Sequence, residues 1–509
     1  MDTTPYWMAT QALPQFPSLD QNLNVDVIIV GGGLTGITAA YLLKQAGATV
    51  ALLERERCAG ADTGHTTAHL AFVTDLRLHE IVKKFGEDGG RAFWDAGVAA
   101  IDQIHDIVER EQINCEFKWV PGYLHASLND RGGTKEREHL QRDAQLAKEL
   151  GFPAEFLDVT PYTNQPGVRF SGQAKFHPRK YLAALVQKIP GNGSYVFENS
   201  RAAEFKDDPL SVQVGDYTVR GQFLFIATHT PLMGNTRLFS ALAFQTKLAL
   251  YTSYVLGARL PAGSVPEALY WDTSDPYYYL HIDRHEDHDY AIFGGEDAKT
   301  GQEDDSEAVF LRLENEFKKW FPYGEVQHRW LGQVVETNDG LPFIGETARN
   351  QFVATGFCGN GFTLGTLAAM MARDRFLRNA SPWDDLLDVH RTKLRGGTWR
   401  YITENADYPY HMVRDRLARV EDDSTDNIAR GQGRIVKLDG QKVAAYRDER
   451  GDLTLLSPVC THLKCIVRWN DADRTWDCPC HGSRFKGTGE VIGGPAEEPL
   501  EKINPAELK

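Results

Sequence analysis

Residues 25–54 read VDVIIVGGGLTGITAAYLLKQAGATVALLE. The apolar run VDVIIV (25–30) predicts a buried strand, residues 35–46 a helix, and TVALL (49–53) a second strand, so the stretch opens a βαβ unit. Gly31, Gly33 and Gly36 form G-x-G-x-x-G between strand and helix, and Glu54 ends the second strand eighteen residues later. Such glycines permit a tight turn and close approach to a pyrophosphate. The helix N-terminus attracts the phosphate charge, and the carboxylate suits a ribose hydroxyl. The expectation is a Rossmann-like nucleotide-binding domain, with Thr35 and Arg55 joining the motif as contact candidates.

Working outward, residues 76–110, 132–150 and 179–189 are helical by pattern. From 194 to 300 the chain is strand-rich, with FLFIAT (223–228), LALYTSYVLGA (248–258), YYYLHI (277–282) and YAIFGG (290–295). Residues 305–320 return to helix, and FVATGF (352–357) leads into a further helix at about 363–376. Residues 380–425 are polar, with Pro382, Pro409 and acidic runs, and read as a linker. From about 426, short strands alternate with glycine-bearing turns, as in a small β domain. The fold class is therefore α/β plus β, divided as 1–380, a linker 381–425, and 426–509. In the first unit the nucleotide-binding part is interleaved with a mixed-sheet substrate part.

The 509 residues, 42% hydrophobic and 25% charged, are those of an ordinary soluble chain. A formal charge of −15 repels phosphate backbones, which argues against nucleic-acid binding. No secretory signal begins the chain and no 18-residue apolar stretch spans a membrane, so a cytoplasmic location is expected.

Of seven cysteines, Cys58, Cys115 and Cys358 are scattered, whereas Cys460, Cys465, Cys478 and Cys480 crowd together with His462 and His481. Cys460-Thr461-His462 is followed, after fifteen residues, by Cys478-Pro479-Cys480-His481. Two thiolates and two imidazoles on paired loops suit a diiron cluster, with soft sulfur on one iron and neutral nitrogen on the other. Zinc also accepts Cys₂His₂, but zinc fingers usually pair two cysteines and then two histidines, whereas each loop here supplies one of each.

CTHLKC, CPCHGSRF and the later GGPA loop resemble the Rieske [2Fe–2S] family over about residues 426–500. The resemblance implies that Cys460 and Cys478 bind one iron and His462 and His481 the other. It also implies a Cys465–Cys480 disulfide, placed as in Rieske proteins of respiratory complexes. Ser483 matches a serine that donates to a bridging sulfide in high-potential members, but Phe485 stands where those members carry a tyrosine. A midpoint below the top of the ~ −150 to +300 mV Rieske range is expected.

TNDGLPFIG (337–345) and FVATGFCGNGFTLGTLAAMMA (352–372) resemble the D-amino-acid oxidase and glycine oxidase superfamily, over about residues 20–380. That resemblance selects FAD and places backbone amides of Gly359, Asn360, Gly361, Phe362 and Thr363 against the isoalloxazine. ENSRA (198–202) matches a strand contacting adenine, with Ala202 the contact. FIATHT (225–230) matches the strand closing the nucleotide site, with Thr228 in it. GADTGHTTAHL (60–70) runs where the family passes the flavin, which brings in Thr66 and Thr67. His65 and His69 are attachment candidates for covalent flavin, but Gly332 stands where cysteine-linked relatives carry their attachment residue, and non-covalent FAD is expected. A single G-x-G-x-x-G argues against a reductase fed by a nicotinamide nucleotide.

Over nearly its whole length the chain resembles bacterial proteins that fuse an oxidase-like flavoprotein to a Rieske domain. That resemblance implies little about the substrate, and the reaction expected is oxidation of a small amine or amino acid at its C–N bond. Electrons would pass from FAD to the cluster and on to an external one-electron acceptor, a protein or a quinone. Tyr277 and Tyr279, alternate residues of one strand, face the same side and are the catalytic candidates. They compete with a plain core role, as do His177 and Trp330. The alternatives are an electron carrier serving a protein partner without a small amine substrate, and a flavin monooxygenase-like reaction. A Rieske oxygenase would need a further mononuclear iron site of two histidines and a carboxylate, for which no placement is found.

Overall fold

In the computed structural model Val27–Val30 is fully buried and takes an inner position in a six-stranded sheet. A run of β-branched residues, apolar on both faces, suits a strand covered on both sides. The structure describes residues 1–128, 134–232, 247–391, 414–416 and 424–504. The sheet runs Phe343–Ala348, Gln351–Thr355, Phe223–Ile226, Val27–Val30, Val50–Leu53, Tyr195–Phe197. Its inner pairs are parallel and Phe343–Ala348 is an antiparallel edge. Helices Leu34–Gln45 and Gly361–Phe376 pack on each other, which brings the two predicted glycine-rich turns to one end of the sheet.

A second sheet is nine-stranded and mixed. Its neighbours in order include Glu325–Thr337, Leu248–Pro261, His288–Lys299, Tyr279–Arg284, Leu269–Asp272 and Lys118–His125. The predicted strand 277–282 begins only at Tyr279. Asp272 Oδ1 accepts from the amides of both Ser274 and Tyr278, which holds 273–278 as a turn instead. The long helix Leu78–Glu111 carries a kink at Gly86. Among the described residues no helix is long and apolar enough to cross a membrane.

The C-terminal unit consists of a three-stranded and a four-stranded antiparallel sheet. Part of the predicted linker, 392–413 and 417–423, lies outside the described residues. Residues 381–391 pack onto the first unit. Leu387 is buried, and Arg391 pairs with Asp339 at 2.8 Å and covers the Phe343 ring.

The two units touch closely. A Cβ on Gly301 would stand 2.7 Å from the carbonyl carbon of Cys478, and one on Gly482 would stand 2.6 Å from Leu250 Cβ. At Gly301 backbone therefore meets backbone, and at Gly482 backbone meets the Leu250 side chain. Gln302 Nε2 donates to Pro479 O (2.9 Å), Lys486 pairs with Glu56 (2.6 Å), and Arg468 pairs with Asp304 (3.1 Å).

Candidate functional site

A cavity of about 330 Å³ runs from the Gly31 turn to the tyrosines of the second sheet. Gly31, Gly33, Thr35, Glu54, Arg55, Thr66, Thr67, Ala202, Thr228, Gly359, Asn360, Gly361 and Phe362 all line it, with Tyr277 and Tyr279. Gly36 and Thr363 do not line it but lie in the first turns of the two helices that end on it. The third glycine is there for contact: a Cβ on Gly36 would stand 1.9 Å from Gly31 O. Gly359 has φ +80°, where a side chain is strained. Thr363 Oγ1 is buried and has no hydrogen-bond partner.

Glu54 accepts from the Gly32 amide at 2.7 Å and from the Glu56 amide at 2.8 Å, and burial raises its pKa. Arg55 lines the cavity, but its guanidinium donates to Ile492 O of the C-terminal unit. Thr228 Oγ1 donates to Thr230 O. A narrow cradle of glycine backbone, a helix N-terminus and a buried carboxylate is what a dinucleotide requires.

At the other end, the Tyr277 and Tyr279 rings are 5.8 Å apart and both face the cavity. Tyr278 faces the opposite side and stacks on Phe293. The Tyr277 hydroxyl bonds to Asp75, and Tyr279 OH and Ser253 Oγ lie 2.7 Å apart. Burial pushes Asp75 up to about 7 and Asp297 likewise up to about 7, and holds His69 down at about 4, so that its ring stays neutral. His65 and His69 both line the cavity, His65 with its Nδ1 2.9 Å from Ala61 O. His177 instead caps helix Pro178–Val186, and Trp330 donates to His65 O; neither lines the cavity.

In the C-terminal unit the predicted donors lie in two pairs. Cys460 and Cys478 lie side by side in hydrogen-bonding reach, and the His462 and His481 rings are 5.1 Å apart. Cys465 and Cys480 are joined by a disulfide that ties the two loops. Ser483 is buried, accepts from the Ala496 amide (3.1 Å) and reaches Cys460. Phe485 is fully buried. Paired sulfurs beside paired imidazoles fit a [2Fe–2S] cluster.

Sequence reasoning missed Asp75, Asp297, Glu336 and Gln333, all of which line the cavity. It also missed the segment Ile492–Glu498, which closes the Glu54 end. Gln333 Nε2 donates to Gly482 O at 3.0 Å, so the residue after His481 is bonded to the cavity wall.

Residues 26–375 match the family described as FAD dependent oxidoreductase (DAO). The chain belongs to this family. Residues 418–504 match the Rieske [2Fe-2S] domain. A Bacillus subtilis (strain 168) protein named as a Rieske 2Fe-2S iron-sulfur protein, YhfW, is 32% identical over 506 residues, covering 98% of this chain and 97% of its own. Gamma-glutamylputrescine oxidoreductase of Escherichia coli (strain K12) is 24% identical over 82% of this chain and 99% of its own. The fold is that of glycine oxidase from Geobacillus kaustophilus, with a TM-score of 0.61 at 16% identity, over 73% of this chain and 99% of that one. The DAO domain binds FAD and the Rieske domain a [2Fe–2S] cluster, so this member of the family is a flavin-dependent oxidoreductase with a Rieske domain attached.

Proposed function

We propose that the protein oxidises the C–N bond of a small amine or amino acid and passes the electrons through the cluster, one at a time, to an external acceptor. FAD supplies the acceptor for the electron pair and the cluster a one-electron exit. In this reading FAD is held by the Gly31–Gly36 turn, Glu54, Ala202, Thr228 and the Gly359–Thr363 turn. Cys460, His462, Cys478 and His481 hold the cluster. Tyr277 and Tyr279 form the wall against which the substrate is oriented. The chain is read as a flavin unit to residue 380, a connection to 425 and a cluster unit from 426.

The observation that carries the reading is the bond from Gln333 Nε2 to Gly482 O. Gln333 lines the cavity, and Gly482 follows a predicted cluster ligand, so one hydrogen bond joins the cavity wall to a cluster loop. An open cavity beside the tyrosines favours a small substrate over a carrier fed only by proteins.

The test is anaerobic reduction of the purified protein with secondary and tertiary amines and with amino acids, followed by EPR. One compound is expected to bleach the flavin and raise a Rieske signal together. A signal raised by dithionite but by no compound in the panel would leave the cluster in place and remove the amine reaction.

A further inference from the structure

The cavity is not built from the flavin unit alone. Ile492, Gly493, Gly494, Ala496, Glu497 and Glu498 of the C-terminal unit line it as well. They reach it beside the two residues read as contacts for the adenosine half of FAD. Arg55, which follows Glu54, donates to Ile492 O. Arg201, which precedes Ala202, donates to Glu497 O and pairs with Glu498 at 3.3 Å. Next to Arg55, Glu56 pairs with Lys486 of the C-terminal unit at 2.6 Å. Gly493 comes in beside Gln333, where a Cβ would stand 3.5 Å from Gln333 Oε1.

The cluster loops hold the same segment from its other side. Ser483 Oγ accepts from the Ala496 amide at 3.1 Å. Thr461, between Cys460 and His462, donates its hydroxyl to Glu498 O at 2.6 Å. Gly494, at φ +85°, presses on Ser483, whose Cα would lie 2.6 Å from an added Cβ. One short stretch of chain is thus a partition, with the cavity on one face and the cluster loops on the other. The cavity side fits FAD: Gly36 has no room for a Cβ beside Gly31 O, and Glu54 is held by the Gly32 amide at the turn. Single surface pairs are weak, but contacts carried on one folded unit have to break together before the partition moves. We propose that residues 492–498 are the closing wall of the FAD site, so that FAD enters and leaves only when the C-terminal unit lifts from the flavin unit. The proposal does not depend on the substrate. It makes flavin retention a measure of docking, since FAD held in the closed site favours the docked form in return.

The experiment uses the full chain loaded with FAD and cluster. A carbodiimide joins an amine to a carboxylate already in contact with it, and Lys486 and Glu56 are such a pair across the junction. Lys486→Arg keeps the charge and cannot be joined. FAD release into bromide buffer is read as the flavin absorbance left on the protein after timed passage through a desalting column. The joined protein is expected to release FAD at least about tenfold more slowly than the treated Lys486→Arg protein. Gly301→Val, at a position that does not line the cavity, tests the opposite direction. Its release is expected to be faster by about tenfold or more, with the Rieske EPR signal present. Equal release from joined and unjoinable protein, with the Lys486–Glu56 peptide found by mass spectrometry, overturns the proposal, as does unchanged release from Gly301→Val. A treated protein in which that peptide does not form overturns it too, because the docking it rests on is then absent in solution. Should Gly301→Val fail to fold, the comparison of joined and unjoinable protein decides alone.

Discussion

Gly36 has no room for even one carbon, since a Cβ would stand 1.9 Å from Gly31 O. Gly36→Ala is expected to yield protein with little or no flavin absorbance after purification, while the cluster signal persists. Asp75 and Asp297 make a prediction about pH. Asp297 is raised to about 7 by burial, and Asp75, which keeps its surface open to the cavity, is raised likewise by the protein packed around it, whereas a carboxyl in the unfolded chain titrates near 4. The folded protein therefore holds protons that the unfolded chain has lost. Their stabilising contribution is complete below about pH 4 and fades as pH rises through about 7. Melting temperature of the substrate-free protein is expected to fall over that interval, and Asp75→Asn with Asp297→Asn to flatten the slope. At this scale the sequence was legible where chemistry is written in local spacing. Gly31, Gly33, Gly36, Glu54 and the Cys–x–His loops each follow from residues near one another in the chain. Asp75, Asp297 and Glu336 do not, because they meet only after a helix, two sheets and more than two hundred residues have folded between the first and the last.

Among elements, long segments of clear period were read to within a few residues, including Ser306–Trp320 and Gln351–Thr355. The tyrosine strand was read two residues too early, because a side chain decided its start: Asp272 takes up the Ser274 and Tyr278 amides that a ladder would otherwise have used. Tyr279 then lies directly on Gly294, where a Cβ would meet its ring at about 2.2 Å, a pairing no single strand could disclose. The Cys465–Cys480 bond ties the two cluster loops to each other. Cys465→Ser with Cys480→Ser is expected to assemble a cluster that is lost faster in air than in the unsubstituted protein. The decay of the Rieske EPR signal measures it, and equal decay would assign the bond a purely local role.

For the molecule as a whole, the sequence disclosed two cofactor domains but not how they sit together, because composition carries no record of docking. Their junction is set by Gly301 against Cys478 and by Gly482 against Leu250. Gly301→Val is expected to push the units apart. Substrate-driven flavin bleaching would then be nearly unchanged while the following rise of the cluster signal slows by about tenfold or more. Stopped-flow absorbance followed by freeze-quench EPR separates the two steps. Bare peptide pressed on bare peptide also leaves nothing to slide or hinge at that point. The internal hop should then run like a clock indifferent to friction, at one rate in buffer and in syrup-thick glycerol or sucrose, whereas delivery to an outside acceptor, which must diffuse to meet the protein, should drag in proportion to viscosity.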